Sequence, residues 1–330
     1  MTSPAFCRSA CAAVVLLLTA AGSSAFAQSN DSWPARPVRV VVPYAPGAMG
    51  DVVIRRLSDG LRSELGQTIV VENRPGAGGN IGTRVVEQAA PDGYTVLIAA
   101  TNNFTINQFL YKDLGFDPLK RFDAVTILVD VPSVLFVPAG LPAQTFREFV
   151  TWARANPGKA NYGSPGSGTT THLAGEAINK AFGLGMTHVP YKGAGAVITA
   201  LLGGEVQFFL GGAGLGAAHV KAGKLRALAV AAKTRLDALP EAPTFAEAGL
   251  VAISASNWWG MAVPAGTPKP AIDRLRSAVC KTLAEPQARA AMVQMGNVPV
   301  CNTPAEMQRQ VAEEAAIWQR TLPGLGVKIE

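Results

Sequence analysis

Residues 38–54 read VRVVVPYAPGAMGDVVI, and the order of residue types in this stretch decides the fold class. Val38 to Val42 is a β-prone run, and Pro43 to Gly50 holds turn formers. Val53, Ile54, Leu57, Leu61 and Leu65 then recur at helical spacing before Gly66. This predicts a strand, a loop and a helix. The alternation continues with a strand at Thr68 to Val71, a helix at Asn80 to Ala90, and a strand at Thr95 to Ala100 after the turn Pro91-Asp92-Gly93. Apolar strands alternating with helices predict a parallel sheet covered on both faces. The pattern restarts with helices at Phe146 to Ala155 and Leu173 to Phe182, and strands at Val206 to Leu210 and Arg226 to Ala231. Ser256 to Pro264 reads as a strand returning to the first sheet, followed by helices at Pro270 to Leu283 and Pro304 to Trp318. The organisation is α/β: a first domain over 33–131, a second over 132–254, and 255–330 completing the first.

In an open α/β sheet the strand-to-helix loops gather at the carboxyl edge, where helix N-termini offer free N–H groups and partial positive charge. Two loops have the composition to receive an anion there. One is Pro43 to Asp51, and the other is Gly163-Ser164-Pro165-Gly166-Ser167-Gly168-Thr169-Thr170. Glycine lets backbone amides approach closely, and hydroxyls add donors. Each loop taken alone also reads as a tight turn with capping residues.

With 48% apolar and 16% charged residues, the 330-residue chain has enough apolar sequence for two cores and no sign of global disorder. Its first 27 residues carry Arg8, an apolar stretch from Ala12 to Ala21, and the ending Ala25-Phe26-Ala27, the pattern of a cleaved secretory leader. Export to the periplasm removes Cys7 and Cys11 and places the chain where nucleotides and reduced pyridine cofactors are scarce, so no cofactor is expected. Cys280 and Cys301 remain, either as one disulfide or as two buried thiols. Losing Arg8 takes the formal charge from +6 to +5, and the other basic residues form no run, which argues against nucleic acid.

Further stretches make the sequence recognisable along its length from Trp33. They are Trp33-Pro34-Ala35-Arg36-Pro37 leading into Val40-Val41-Val42-Pro43-Tyr44; Val71-Glu72-Asn73-Arg74-Pro75-Gly76-Ala77-Gly78-Gly79-Asn80; Ala90-Pro91-Asp92-Gly93-Tyr94; Ala155-Asn156-Pro157-Gly158-Lys159; His188-Val189-Pro190-Tyr191-Lys192-Gly193; and Ala222 to Val230. In this order and spacing they resemble the tripartite tricarboxylate transporter receptors, also called Bug-type proteins. The resemblance implies a type II periplasmic-binding-protein-like fold, with two domains hinged about a ligand cleft and each a mainly parallel sheet flanked by helices. It implies a small carboxylate ligand, a large and a small integral membrane subunit as partners, and a monomeric receptor. It carries over Tyr44, Ala48, Met49 and Gly50 as one side of the site and Ser164, Ser167, Gly168, Thr169 and Thr170 as the other, with Asn102, Asn103 and Tyr191 completing the wall.

Two departures bear on the ligand. Ala48, Met49 and Gly50 stand where the family commonly has a second glycine and a hydroxyl residue, and Gly211 and Gly212 stand where it often has Asp or Asn. The second makes an amino-acid ligand less expected, and room beside Gly211 points to a bulkier or aromatic dicarboxylate.

Sharper chemistries fare worse. Gly212-Ala213-Gly214-Leu215-Gly216-Ala217 fits a loose dinucleotide pattern, but the next strand ends in Ala232-Lys233 with no carboxylate for a ribose. No serine sits in a G-x-S-x-G elbow, no S-x-x-K occurs, and three histidines with no C-x-x-C give no zinc pattern. Asp51 reads as a helix-start carboxylate, Arg74 as an ion pair with Glu72, His172 as a structural hydrogen-bonder, and Trp258 and Trp259 as core residues on opposite faces. An exported ligand sensor and a secreted carboxyl-ester hydrolase remain the alternatives to a transport receptor; an enzyme is not expected.

Overall fold

A computed structural model describes residues 33–250, 253, 255 and 257–327. The expected leader and its cleavage point lie outside these residues, as does Ser256. β1 (Val38–Val42) is the valine run itself. The helix after it, α1 (Met49–Leu65), starts four residues before Val53, because its first turn is built from the small residues of the loop. Gly66 ends it in the left-handed region at φ 71°, its amide returning to the Arg62 carbonyl. Val53, Ile54, Leu57, Leu61 and Leu65 are all buried. Burying each such side chain is worth ~1.5–3 kcal/mol. An exposed pair such as Lys269–Asp273 on the surface is worth about 1 kcal/mol at most. The apolar face therefore sets where α1 sits.

The chain continues through β2 (Ile69–Asn73), a 3₁₀ turn (Ala77–Gly79), α2 (Asn80–Glu87), β3 (Thr95–Ala100), α3 (Thr101–Thr105), α4 (Asn107–Leu110), α5 (Pro118–Arg121) and β4 (Phe122–Asp130). Next come β5 (Ser133–Pro138), α6 (Phe146–Ala155), β6 (Asn161–Ser164), α7 (Thr170–Phe182), β7 (Thr187–Pro190), α8 (Ala194–Gly203), β8 (Phe208–Gly212), α9 (Ala213–Lys221) and β9 (Leu225–Ala231). The last elements are β10 (Trp258–Pro264), α10 (Lys269–Ala284), α11 (Pro286–Gln294), β11 (Val298–Pro299) and α12 (Pro304–Leu325). Thr303 and Glu306 form a reciprocal capping box at the start of α12.

Two sheets result, one ordered β11-β4-β10-β3-β1-β2 and the other β7-β6-β8-β5-β9. β10 does return to the first sheet, between β3 and β4. Both sheets are mixed, which departs from the expectation of mainly parallel ones. β1 runs parallel to β2 and β3, but β10 is antiparallel to β3 and β4. In the second sheet β6 is parallel to β7 and β8, whereas β5 is antiparallel to β8 and β9. β5 and β10 are the strands that carry the chain from one sheet to the other, and β11 adds a further antiparallel pair with β4 at the edge of the first sheet. Each sheet has its own apolar core: Val41, Leu97, Ile127, Trp258 and Met307 in the first, and Phe149, Tyr162, Ile178 and Phe208 on one side of the second.

β8 reaches Gly212, so Gly211 lies within the strand. A Cβ there would run into the Phe209 ring, which is fully buried. The space beside Gly211 is thus filled from within the protein, because residues two apart on a strand share a face. This removes the argument for a bulkier ligand. Gly214 and Gly216, from the loose dinucleotide pattern, are explained by packing: a side chain at Gly214 would strike the Met295 carbonyl, and one at Gly216 the Phe136 ring.

Cys280 and Cys301 are bridged, with Cα atoms 5.5 Å apart. The bridge closes a loop containing α11 and β11, with 21 positions between its ends. Closing a loop of that length restricts the unfolded chain by roughly 3 kcal/mol. Replacing Cys280 and Cys301 together by serine should lower the unfolding free energy by about that amount in urea titrations followed by tryptophan fluorescence; an unchanged midpoint would contradict this.

Candidate functional site

The first loop is held from below by its own helix. Gly47 donates its amide to Asp51 Oδ2 at 2.9 Å, and Arg55 Nε reaches Asp51 Oδ1 at 2.8 Å. Burial alone would raise the Asp51 carboxyl, but the Gly47 amide, Asn73 and Arg55 outweigh it and hold it below the usual range. Asn73 also donates to the Tyr44 carbonyl at 3.0 Å. Gly50 packs directly on the Trp259 ring, where a Cβ would collide. Trp259 meets Tyr44 edge-on at 5.1 Å, whereas Trp258 stacks on Phe104 at 5.5 Å on the other face. Arg74 pairs with Glu72, as expected.

Tyr44, Asn102 and Asn103 do come together, but their polar groups are engaged with one another. The Tyr44 hydroxyl lies 3.0 Å from Asn102 Oδ1 and 2.7 Å from Asn103 Oδ1. Asn102, Asn103 and Asn107 all direct Nδ2 to the Gly78 carbonyl, at 3.1, 3.1 and 3.2 Å. Burial pushes the Tyr44 hydroxyl up, so it stays protonated. This lattice fixes the wall of the loop. Asn107 and Gly78 were not singled out in the sequence, and neither was Asn297. Asn297 is 2% exposed and places Nδ2 3.2 Å from Met49 Sδ.

The second loop is fixed by hydroxyls and imidazoles. Ser164 donates to the Gly166 carbonyl at 3.0 Å, and its Oγ lies 3.2 Å from the Gly166 amide and 2.6 Å from His188 Nε2. Thr169 caps α7 and also donates to the Gly166 carbonyl at 2.8 Å. Gly168 donates its amide to His172 Nδ1 at 2.9 Å. His172 and His188 stack with centroids 3.8 Å apart. The Ser164–His188 contact is not a nucleophile and its base, because Ser164 is fully buried and its oxygen already has three partners. Tyr191 lies beside the second loop: its amide braces the Ser164 carbonyl at 2.9 Å, while its hydroxyl turns to Glu205 at 3.4 Å.

What the loops leave free is backbone. Among the described residues, the amides of Met49, Gly50 and Asp51 at the start of α1 have no acceptor, and neither do those of Thr170 and Thr171 at the start of α7. Ala48 cannot cap α1 with its side chain. Ser167 is exposed at the tip of the second loop. No hydrogen bond joins the two loops among the described residues, and no cluster of His, Cys, Asp or Glu there can hold a metal ion.

The profile described as "Tripartite tricarboxylate transporter family receptor" matches residues 53–327. The chain belongs to that family. This receptor is 31% identical to protein BugT of Bordetella pertussis (strain Tohama I) over 319 residues, 96% of this chain and 98% of that one. Among solved structures it is similar to an R. palustris protein with adipate, at TM-score 0.80 and 31% identity, covering 90% of this chain and 99% of that one. It is also similar to MatC from Rhodopseudomonas palustris with bound malate, at TM-score 0.78 and 29% identity over 88% and 100%. The mixed α/β fold of those structures is its fold, and the receptor is a binding protein and not an enzyme.

Burial, with His188 alongside, pushes His172 down from 6.5 to about 4. Burial also lowers His188, offset in part by Glu176, which accepts from the Tyr162 hydroxyl at 2.6 Å. The unfolded chain therefore binds more protons than the native state between these limits. The contribution of His172 is complete above pH 6.5 and is lost as the pH falls to about 4. Urea titrations across that window should show stability declining less steeply in His172→Asn than in the wild type; parallel slopes would contradict the assignment.

Proposed function

We propose that this receptor captures a small dicarboxylate between the loops 43–51 and 163–170 and passes it to the large and small membrane subunits of a tripartite transporter. The observation that carries this reading is the pair of helix starts with unclaimed amides, one beside each sheet, at Met49–Asp51 and Thr170–Thr171. A carboxylate accepts from such amides and sits at the positive end of the helix dipole, so it is held without an arginine. Two ends of one helix pair suit two carboxylates of one ligand, in keeping with the adipate and malate of the similar structures.

In this reading residues 33–131 with 255–330 make one lobe and 132–254 the other, hinged where β4 passes into β5. Cleavage after Ala27 releases the receptor into the periplasm as a monomer. Ala48, Met49, Gly50, Ser167, Gly168 and Thr170 border the ligand, while Tyr44, Asn102, Asn103, Ser164 and Thr169 hold the loops in shape. With the space beside Gly211 filled, an aliphatic diacid is favoured over an aromatic one.

A thermal-shift series on the exported protein with adipate, malate, phthalate and amino acids tests the reading. A ligand at 100 times its dissociation constant stabilises by about 2.7 kcal/mol, a shift of several degrees. A shift with an aliphatic diacid and none with amino acids is expected. A shift with amino acids alone would overturn the reading.

A further inference from the structure

His172 and His188 sit 16 positions apart in the sequence, on α7 and β7, yet their rings stack at 3.8 Å with an interplanar angle of 20°. Each grips a different part of the same loop. His188 Nε2 meets Ser164 Oγ at the start of the loop, and His172 Nδ1 meets the Gly168 amide at its end. The partners assign the protons. Gly168 N–H can only donate, so His172 Nδ1 is bare and its proton is on Nε2. The Ser164 hydroxyl donates to the Gly166 carbonyl, which leaves its oxygen to accept from His188 Nε2–H and from the Gly166 amide. His172 is then the neutral Nε2–H tautomer, and burial disfavours a charge on His188 as well.

The surroundings keep them so. Tyr162 packs on both rings, at 6.3 and 5.0 Å between centroids, and is itself fully buried. Glu176 is the carboxylate facing the pair, one turn along α7, and it is occupied by the Tyr162 hydroxyl. A proton on His172 Nδ1 would set a donor against the Gly168 amide and a charge against the neighbouring ring.

We propose that His172 and His188 form a neutral, stacked clamp that positions the 163–170 loop so that the first amides of α7 face the ligand. The clamp rests on the receptor reading for its purpose and on geometry alone for its existence. It acts by shape: the imidazoles take up the Gly168 amide and Ser164 hydroxyl, and the amides of Thr170 and Thr171 are what remain for a carboxylate. An asparagine at 172 places Oδ1 where Nδ1 stands and accepts from Gly168 without titrating.

Two measurements on the exported protein test this. By NMR without ligand, the Gly168 amide should exchange slowly in the wild type and in His172→Asn and about tenfold faster in His172→Ala, the scale of one lost hydrogen bond. By calorimetry with adipate as probe, His172→Asn should stay within about threefold of the wild type, while His172→Ala should weaken binding about tenfold. Equal Gly168 exchange in all three proteins, or adipate affinity in His172→Ala equal to the wild type, would overturn the clamp. If wild type binds neither adipate nor malate while the exchange pattern holds, the clamp stands and the dicarboxylate reading falls.

Discussion

An α-helix begins with amides that no earlier carbonyl in the helix can reach, and these must find an acceptor or face water. The rest of the structure depends on how this chain treats that constraint at two places. Thr145 caps α6 and Thr303 with Glu306 caps α12, whereas α2, α8 and α10 start without a side-chain cap. At α1 an alanine precedes the helix and the Met49, Gly50 and Asp51 amides are left over; at α7 the Thr169 cap reaches only as far as His172. Both of these helix starts lie on loops whose backbones are braced by side chains.

That bracing explains why the loops are rich in polar side chains that do not point outward. Tyr44, Asn102, Asn103 and Asn107 converge on the Gly78 carbonyl. Ser164, Thr169 and His172 converge on the Gly166–Gly168 backbone, and His188 meets Ser164 Oγ. A carbonyl or amide so satisfied is costly to move, because breaking one buried hydrogen bond without replacement costs ~1–3 kcal/mol. Side-chain chemistry here shapes a backbone surface.

The division of the fold into strands and helices was legible because burial imposes a period on the sequence, as in the valine run of β1 and the Val53-to-Leu65 face of α1. The helix starts at Met49 and Thr170 were read late, since small and hydroxyl residues in a first turn look like loop. Strand direction was not legible: nothing local in Ser133–Pro138 or Trp258–Pro264 tells which way each strand enters its sheet. The loops themselves were legible from glycine and hydroxyl content. Their internal bonding was not, because Gly78 meets Asn102 across 24 positions and Ser164 meets His188 across 24, and such pairings are decided by the sheets that bring them together.

The central claim is that backbone amides at two helix starts receive the two ends of one ligand. A crystal structure of the exported protein grown with a dicarboxylate that stabilises it tests this most directly. One carboxylate should lie within hydrogen-bond distance of the Met49–Asp51 amides and the other at the Thr170 and Thr171 amides, with His172 still accepting from Gly168. A ligand held instead by arginine side chains, or seated in the cavity of ~560 Å³ bordered by Thr145, Arg147, Leu228 and Glu247, would contradict the account.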